Sequence, residues 1–250
     1  MPDRIIAGNW KMHGSRAFVA EYAQGLRQAL APGADLTVVL LPPAILLADL
    51  RTACAGIDVE FGVQTVHPEP EGAFTGELAA EMAADAGARW TLVGHSERRA
   101  CQGEDDAAVA ARFLAARRAG LRPMLCVGET LDARRDGRAE AVVVAQLQAV
   151  LAAAGDAFAG AVVAYEPVWA IGTGETASPA QVQAMHAVLR ATLAEAGDGL
   201  ENTSLLYGGS VKPDNAATLF AQEDVDGGLV GGSSLDAKAF ASIVAALGDA

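Results

Sequence analysis

Short, nearly uninterrupted apolar runs recur along this chain, and the stretches between them carry apolar residues at helical spacing on an alanine-rich background. The runs are Ile5 to Ala7, Leu36 to Leu41, Val59 to Val63, Trp90 to Val93, Met124 to Val127, Val162 to Tyr165, Leu205 to Tyr207 and Gly228 to Val230. Each lacks the polar alternation of a strand with one wet face, so the pattern predicts strands covered on both sides. Glycines precede most of the runs, at Gly33, Gly56, Gly87, Gly120, Gly155 and Gly197. A helix commonly ends on a left-handed residue, a conformation that a Cβ resists, so these glycines are expected to close the helices. Helices between successive strands force parallel pairing. Eight such units in 250 residues predict an α/β fold, a closed (β/α)8 barrel of parallel strands with surrounding helices. An open doubly wound sheet is the second architecture that fits the alternation. It calls for a GxGxxG turn after the first strand, where Gly8-Asn9-Trp10-Lys11 stands instead. No composition break or long linker divides the chain, so a single domain over 1–250 is expected.

The run that ends at Tyr165 leads straight into Glu166 and Pro167. Pro167 bars continued sheet pairing, and Gly172 and Gly174 free the backbone for an unusual turn. Ser178-Pro179-Ala180-Gln181 then marks a helix start: an N-cap serine, a proline at the first helical position and a glutamine at the third. Pro167, Val168, Trp169, Ala170, Ile171, Gly172, Thr173 and Gly174 therefore read as a lid, with Pro167 and Trp169 as its stiff lead and 174–177 as its rear hinge. Glu166 beside it reads as a general base. A structural glutamate on a surface turn is the other reading of the same residues.

Composition narrows the partners. With 52% hydrophobic and 20% charged residues the chain can bury a large core. A formal charge of -13, from 18 Lys+Arg against 31 Asp+Glu, argues against nucleic acid or an anionic membrane as partner but leaves room for a small anionic substrate. Cys54, Cys101 and Cys126 are odd in number and fit neither a disulfide framework nor a metal spacing, so reduced thiols in a cytoplasmic protein are expected. The first residues carry no apolar leader pattern, and no export by that route is expected. The most apolar helical stretch, Ala139 to Ala154, reads as too short for a membrane span of about 20 residues.

In such a barrel the chemistry gathers at the C-terminal ends of the strands. Those exits offer Asn9 and Lys11, then His95 and Glu97, then Glu166, then Gly208-Gly209-Ser210, then Gly231-Gly232. Lys11 is one of only three lysines in a chain that otherwise uses arginine. A compact ammonium can sit beside both a phosphate and a developing oxyanion. His95 precedes a short helix, whose N-terminus would lower its pKa and keep the imidazole neutral, able to donate to a substrate carbonyl. The two glycine pairs suit phosphate, which backbone N–H groups can bind closely where no Cβ intervenes. His13, His67 and His186 carry no such context. The run from His67 to Glu71 superficially suggests metal ligands, but alternating prolines hold the side chains apart and a second histidine is missing. No metal is expected.

These residues resemble the triosephosphate isomerase family over the whole chain. The matching blocks are Gly8 to Met12, Gly72 to Glu77, Gly94 to Arg99, Tyr165 to Gly174, Tyr207 to Lys212 and, with one departure, Val230 to Leu235. The resemblance implies a TIM barrel, no cofactor, and interconversion of dihydroxyacetone phosphate and glyceraldehyde 3-phosphate through a cis-enediolate. It implies Glu166 as the base, Lys11, His95 and Asn9 as stabilisers of the enediolate oxygens, and Glu97 as support for Lys11. Gly172, Ser210, Gly231 and Gly232 would hold the phosphate. It further implies a homodimer in which the loop from Gln64 to Gly76 carries Thr75 into the partner's site over Met12. The chain departs from the family pattern at Thr65, where Asn is usual, at Glu175, where Lys is usual, and at Ser233, where Ala is usual. Two other readings of the same residues are an isomerase for a larger phosphosugar and an inactive barrel relative that serves as a binding or scaffold protein.

Overall fold

The computed structural model describes residues 1–31, 36–171 and 176–248. Strands β1 (Ile5–Asn9), β2 (Thr37–Leu41), β3 (Glu60–Val63), β4 (Trp90–Val93), β5 (Arg122–Val127), β6 (Val162–Tyr165), β7 (Ser204–Tyr207) and β8 (Gly227–Val230) pair in parallel and in chain order. β1 bonds to both β2 and β8, which closes the barrel. Around it run α1 (Arg16–Ala29), α2 (Leu47–Ala53), α3 (Ala80–Asp85), α4 (Ser96–Gln102), α5 (Asp106–Arg118), α6 (Leu131–Arg135), α7 (Ala139–Ala154), α8 (Pro179–Ala196), α9 (Ala216–Phe220) and α10 (Ala237–Gly248).

The double coverage predicted for the strands follows from closure. Alternate residues such as Ile5, Ala7, Leu92, Met124, Ala164 and Leu206 form one buried cluster, the barrel interior. Their neighbours Ile6, Val93, Leu125, Val163 and Leu205 belong to a second cluster shared with the helices. A side-chain period of two thus feeds two cores from one strand.

Strand ends differ from the sequence expectation where pairing carries on past the apolar run. β1 extends through Gly8 and Asn9, which stay in register with Leu40 and Leu41. β5 begins at Arg122 rather than Met124, with Pro123 opposite Thr91.

Gly56, Gly87, Gly120 and Gly155 have positive φ, at 81°, 89°, 76° and 51°. Gly197 is not left-handed: its φ of 166° is extended backbone, and Gly199, at 86°, makes the left-handed reversal instead. The chain runs on from α8 before it turns into the 3-10 segment Leu200–Asn202, so the reversal comes later. Gly33 lies outside the described residues.

The expectation that the apolar helix is too short to span a membrane also needs correction. α7 continues as a 3-10 turn, Gly155–Phe158, and Ala139–Phe158 reaches 20 residues with a mean hydropathy of 1.6. By length and composition alone it could cross a bilayer. Here Val143, Leu147 and Val150 are buried in the shared core, whose other members include residues of α5 and α8.

Candidate active site

The exit of β1 is held in a strained conformation. Lys11 has a φ of 51°, the only positive value at a non-glycine among the described residues. For an L-residue this costs about 1–2 kcal/mol, so surrounding bonds must fix it. The Lys11 N–H donates to Asn9 Oδ1 at 3.0 Å. Gln64 Nε2 donates to the carbonyls of Lys11 and Leu41 at 2.8 and 2.9 Å. The side chain then reaches across to β4's exit, where Nζ meets Glu97 Oε1 at 2.6 Å.

β4 leads through Gly94, at φ 73°, into α4, with His95 as its N-cap. His95 Nδ1 accepts from the Glu97 N–H at 3.2 Å, which leaves the neutral ring with its proton on Nε2. That nitrogen lies 3.0 Å from Glu166 Oε1. The Ser96 N–H donates to Glu166 Oε2 at 2.8 Å, so both carboxylate oxygens are engaged. Glu166 is buried, and a Cβ on Gly128 would overlap its backbone carbonyl, so glycine is required there for β5 and β6 exits to approach.

The pKa expected for His95 is reversed in this arrangement. Burial opposes protonation, but the adjacent Glu166 carboxylate outweighs it and holds the imidazole above its usual value. The bond from the Glu97 N–H to Nδ1 works the other way, since it favours the neutral ring, but it does not prevail beside the carboxylate. Burial likewise raises Glu166, but His95 and the Ser96 N–H outweigh it and hold its pKa below the ordinary carboxylate value. In this pose the carboxylate is a weakened base.

A second hub, absent from the sequence reading, stands at the exit of β5. Glu129 is fully buried. Its Oε1 accepts from Trp169 Nε1 at 2.8 Å and Tyr165 Oη at 3.1 Å, and lies 3.1 Å from Arg134 Nη1. The Arg134 guanidinium also stacks over the Trp169 ring, 4.8 Å from its centroid. A buried tyrosine and two partly exposed side chains thus converge on one buried charge and anchor Val168–Ala170, a 3-10 turn after Pro167. At its far end the capping box is complete: Gln181 N–H to Ser178 Oγ at 3.3 Å and Ser178 N–H to Gln181 Oε1 at 2.9 Å. Gly172, Thr173, Gly174 and Glu175 lie outside the described residues. The signal for Glu129 was positional, a carboxylate at a strand exit directly before the helix-capping Thr130. Gln64, also absent from the candidate site residues, is the first residue past β3.

The exits of β7 and β8 contribute mainly backbone. Gly209 and Val211 are buried, and among the described residues the N–H groups of Gly209, Ser210, Val211, Gly232 and Ser233 donate to no protein acceptor. Buried donors rarely lack a partner, so the two buried ones point to an anion, and Ser210, Gly232 and Ser233 line the same cavity beside them. A Cβ on Gly209 would overlap the Tyr207 hydroxyl, which fixes the close turn of the strand exit.

Asn9, Lys11, His95, Glu166, Ala170, Ile171, Ser210, Gly231 and Gly232 all line one cavity of about 420 Å³ at the C-terminal ends of the strands. His13, set aside in the sequence, lines it as well. Glu97 does not line it and acts on the site through Lys11 and His95. Pro167, Val168 and Trp169 stand behind its wall. Thr75 lies apart, exposed in the loop after β3, where Phe74 packs on His67 with ring centroids 4.2 Å apart. The Thr65 hydroxyl at the base of that loop is buried without a partner.

A closed (β/α)8 barrel with a carboxylate, an imidazole and an ammonium converging opposite unpaired backbone donors defines an acid–base barrel enzyme for a small anionic substrate. Comparison with known proteins gives the particular family. Residues 4–247 match the family model described as Triosephosphate isomerase. The chain is 53% identical over 248 residues to the triosephosphate isomerase of Xanthomonas oryzae pv. oryzae, covering 98% of each. It is 53% identical to that of Xanthomonas axonopodis pv. citri over the same length, and 51% identical to that of Xylella fastidiosa over 252 residues, 98% of this chain and 99% of the relative. The chain belongs to the triosephosphate isomerase family.

Proposed function

We infer that this protein interconverts dihydroxyacetone phosphate and glyceraldehyde 3-phosphate, with Glu166 moving the proton between adjacent carbons. One observation carries the site assignment: Glu166, His95, Lys11 and Asn9 share a cavity with the unpaired N–H groups of the β7 and β8 exits. A proton next to a carbonyl is weakly acidic, so its removal requires donors placed where negative charge develops. Nε2–H of His95 and the Lys11 ammonium supply them, with the Asn9 side chain beside Lys11. The phosphate sits against Ser210, Gly231 and Gly232, and Gly172 joins them from the lid.

The paired state of Glu166 and His95 gives the first step a mechanical logic. When the carboxylate leaves Ser96 and His95, it loses the contacts that depress its pKa. The same motion frees Nε2–H for the substrate oxygen. Glu166 adjoins Pro167, so closure of the segment from Pro167 to Gly174 and movement of the base are joined through one backbone. Closure also excludes water, which strengthens the local electrostatics and protects an enediolate that could otherwise expel its phosphate.

The protein acts as a homodimer in the cytoplasm and without nucleic acid or membrane partners on this reading. Met12, Ile45, Phe74 and Met82 are exposed at 94%, 88%, 43% and 56%, an apolar set that a second copy would cover, with Thr75 placed toward the partner's site. Three free cysteines, two of them buried, suit a reducing compartment. The test is a coupled assay in both directions with solution mass measured alongside. Absence of interconversion sinks the enzymatic reading, and a monomer of full activity sinks the dimer.

A further inference from the structure

Ser233 stands on the phosphate side of the cavity, where the family pattern has Ala. Its hydroxyl donates to the Val211 carbonyl at 2.9 Å. Among the described residues this is the only hydrogen bond between the β7 exit, 208–212, and the β8 exit, 231–235. The two strands are in register only at Leu206 with Gly227 and Tyr207 with Gly228. Above that point β8 continues along β1, at Leu229 with Ala7 and Val230 with Gly8, and the β7–β8 seam has no backbone pairing.

The bond closes the seam at a telling place. Val211's carbonyl and Lys212's N–H belong to one planar peptide and point in opposite directions. Ser233 holds the first, and Asn215 Oδ1 accepts from the second at 2.8 Å. The preceding carbonyl, of Ser210, accepts from Asn215 Nδ2 at 2.9 Å. Within the β8 exit, Ser234 Oγ donates to the Gly231 carbonyl at 2.7 Å. Each loop is therefore tied to itself, and above the last paired residues of β7 and β8 the Ser233 hydroxyl is, among the described residues, the one hydrogen bond that links their two groups of unpaired N–H donors.

We propose that Ser233 is a positioning residue that spans the β7–β8 seam and preorganises the backbone cradle for the substrate phosphate. The proposal rests on the phosphate assignment made above and assigns this chain a clamp its family pattern lacks. Losing one hydrogen bond corresponds to a loss of about threefold to tenfold in affinity. In Ser233→Ala, the KM for glyceraldehyde 3-phosphate and the inhibition constants of inorganic phosphate and phosphoglycolate rise by about that factor, while kcat changes by less. Ser233→Thr, which keeps the hydroxyl, restores the inhibition constants. Glyceraldehyde without phosphate reports on the chemical half alone, and its rate falls by a smaller factor than kcat/KM for the phosphorylated substrate. Unchanged inhibition constants in the alanine variant overturn the proposal, and so does an equal loss on both substrates, which would mark a general structural role. Calorimetric binding of phosphoglycolate separates this failure from that of the phosphate assignment, since wild-type protein that does not bind it refutes the latter.

Discussion

The two ends of the cavity solve different problems with different parts of the amino-acid repertoire. At the exits of β1, β4 and β6, long charged side chains meet in a network: Lys11 on Glu97, His95 on Glu166, Glu166 on the Ser96 amide. At the exits of β7 and β8, Gly208, Gly209, Ser210, Gly231, Gly232 and Ser233 carry small side chains or none, and among the described residues the backbone N–H groups of Gly209, Ser210, Gly232 and Ser233 have no protein acceptor. On the proposed function the reason is the fate of charge at each end. Moving a proton requires groups that titrate and can change partners, whereas holding a phosphate requires fixed dipoles that do not reorganise. Strain follows the same division, with Lys11 forced to φ 51° and glycines covering the close approaches opposite.

The comparison is broken most severely at the chemical end. Glu166→Gln keeps shape and removes the base, and kcat should fall by about a thousandfold with little change in phosphoglycolate inhibition. A variant with intact turnover would detach the chemistry from this carboxylate. The next largest effect concerns a buried residue that does not line the cavity. His186 is buried on α8 with Nδ1 2.8 Å from the Asp224 carbonyl, and burial lowers its pKa from 6.5 to about 4. Between those values the unfolded chain binds the proton and the folded one does not, so stability is lost as pH falls through that window, by about 3 kcal/mol. Denaturant titrations of wild type and His186→Asn across this range should show the variant with a shallower slope. Equal slopes would mean that the imidazole is not held neutral.

Lys11→Met tests whether the charge at the strained turn stabilises the enediolate, with about a hundredfold loss in kcat expected. If only KM rises, Lys11 belongs functionally to the phosphate end and the division drawn here is misplaced. The smallest effect is expected from Gly209→Ala, which crowds the Tyr207 hydroxyl and displaces the β7 exit. KM should rise about tenfold while phosphate-free glyceraldehyde is affected less, the inverse of the Glu166 result.

Much of this was legible along the chain. The apolar runs marked all eight strands, the Ser178 and Gln181 spacing marked the start of α8, and the strand exits supplied Lys11, His95, Glu166, Gly231 and Gly232, which line one cavity. Gly197 misled because a glycine after a helix does not reveal where the chain reverses. Glu129 escaped because its role depends on Trp169, Tyr165 and Arg134, which no local pattern links to it.

The sequence by itself determined the alternation of strands and helices, the family, and the residues able to carry charge, since these depend on side-chain periodicity and local backbone preference. Only the tertiary structure decided that Glu166 rests against His95 and Ser96, that Glu129 holds Trp169, and that Ser233 bridges two loops. Those contacts join the exits of different strands, which local sequence does not link and which only the parallel pairing of the barrel brings side by side.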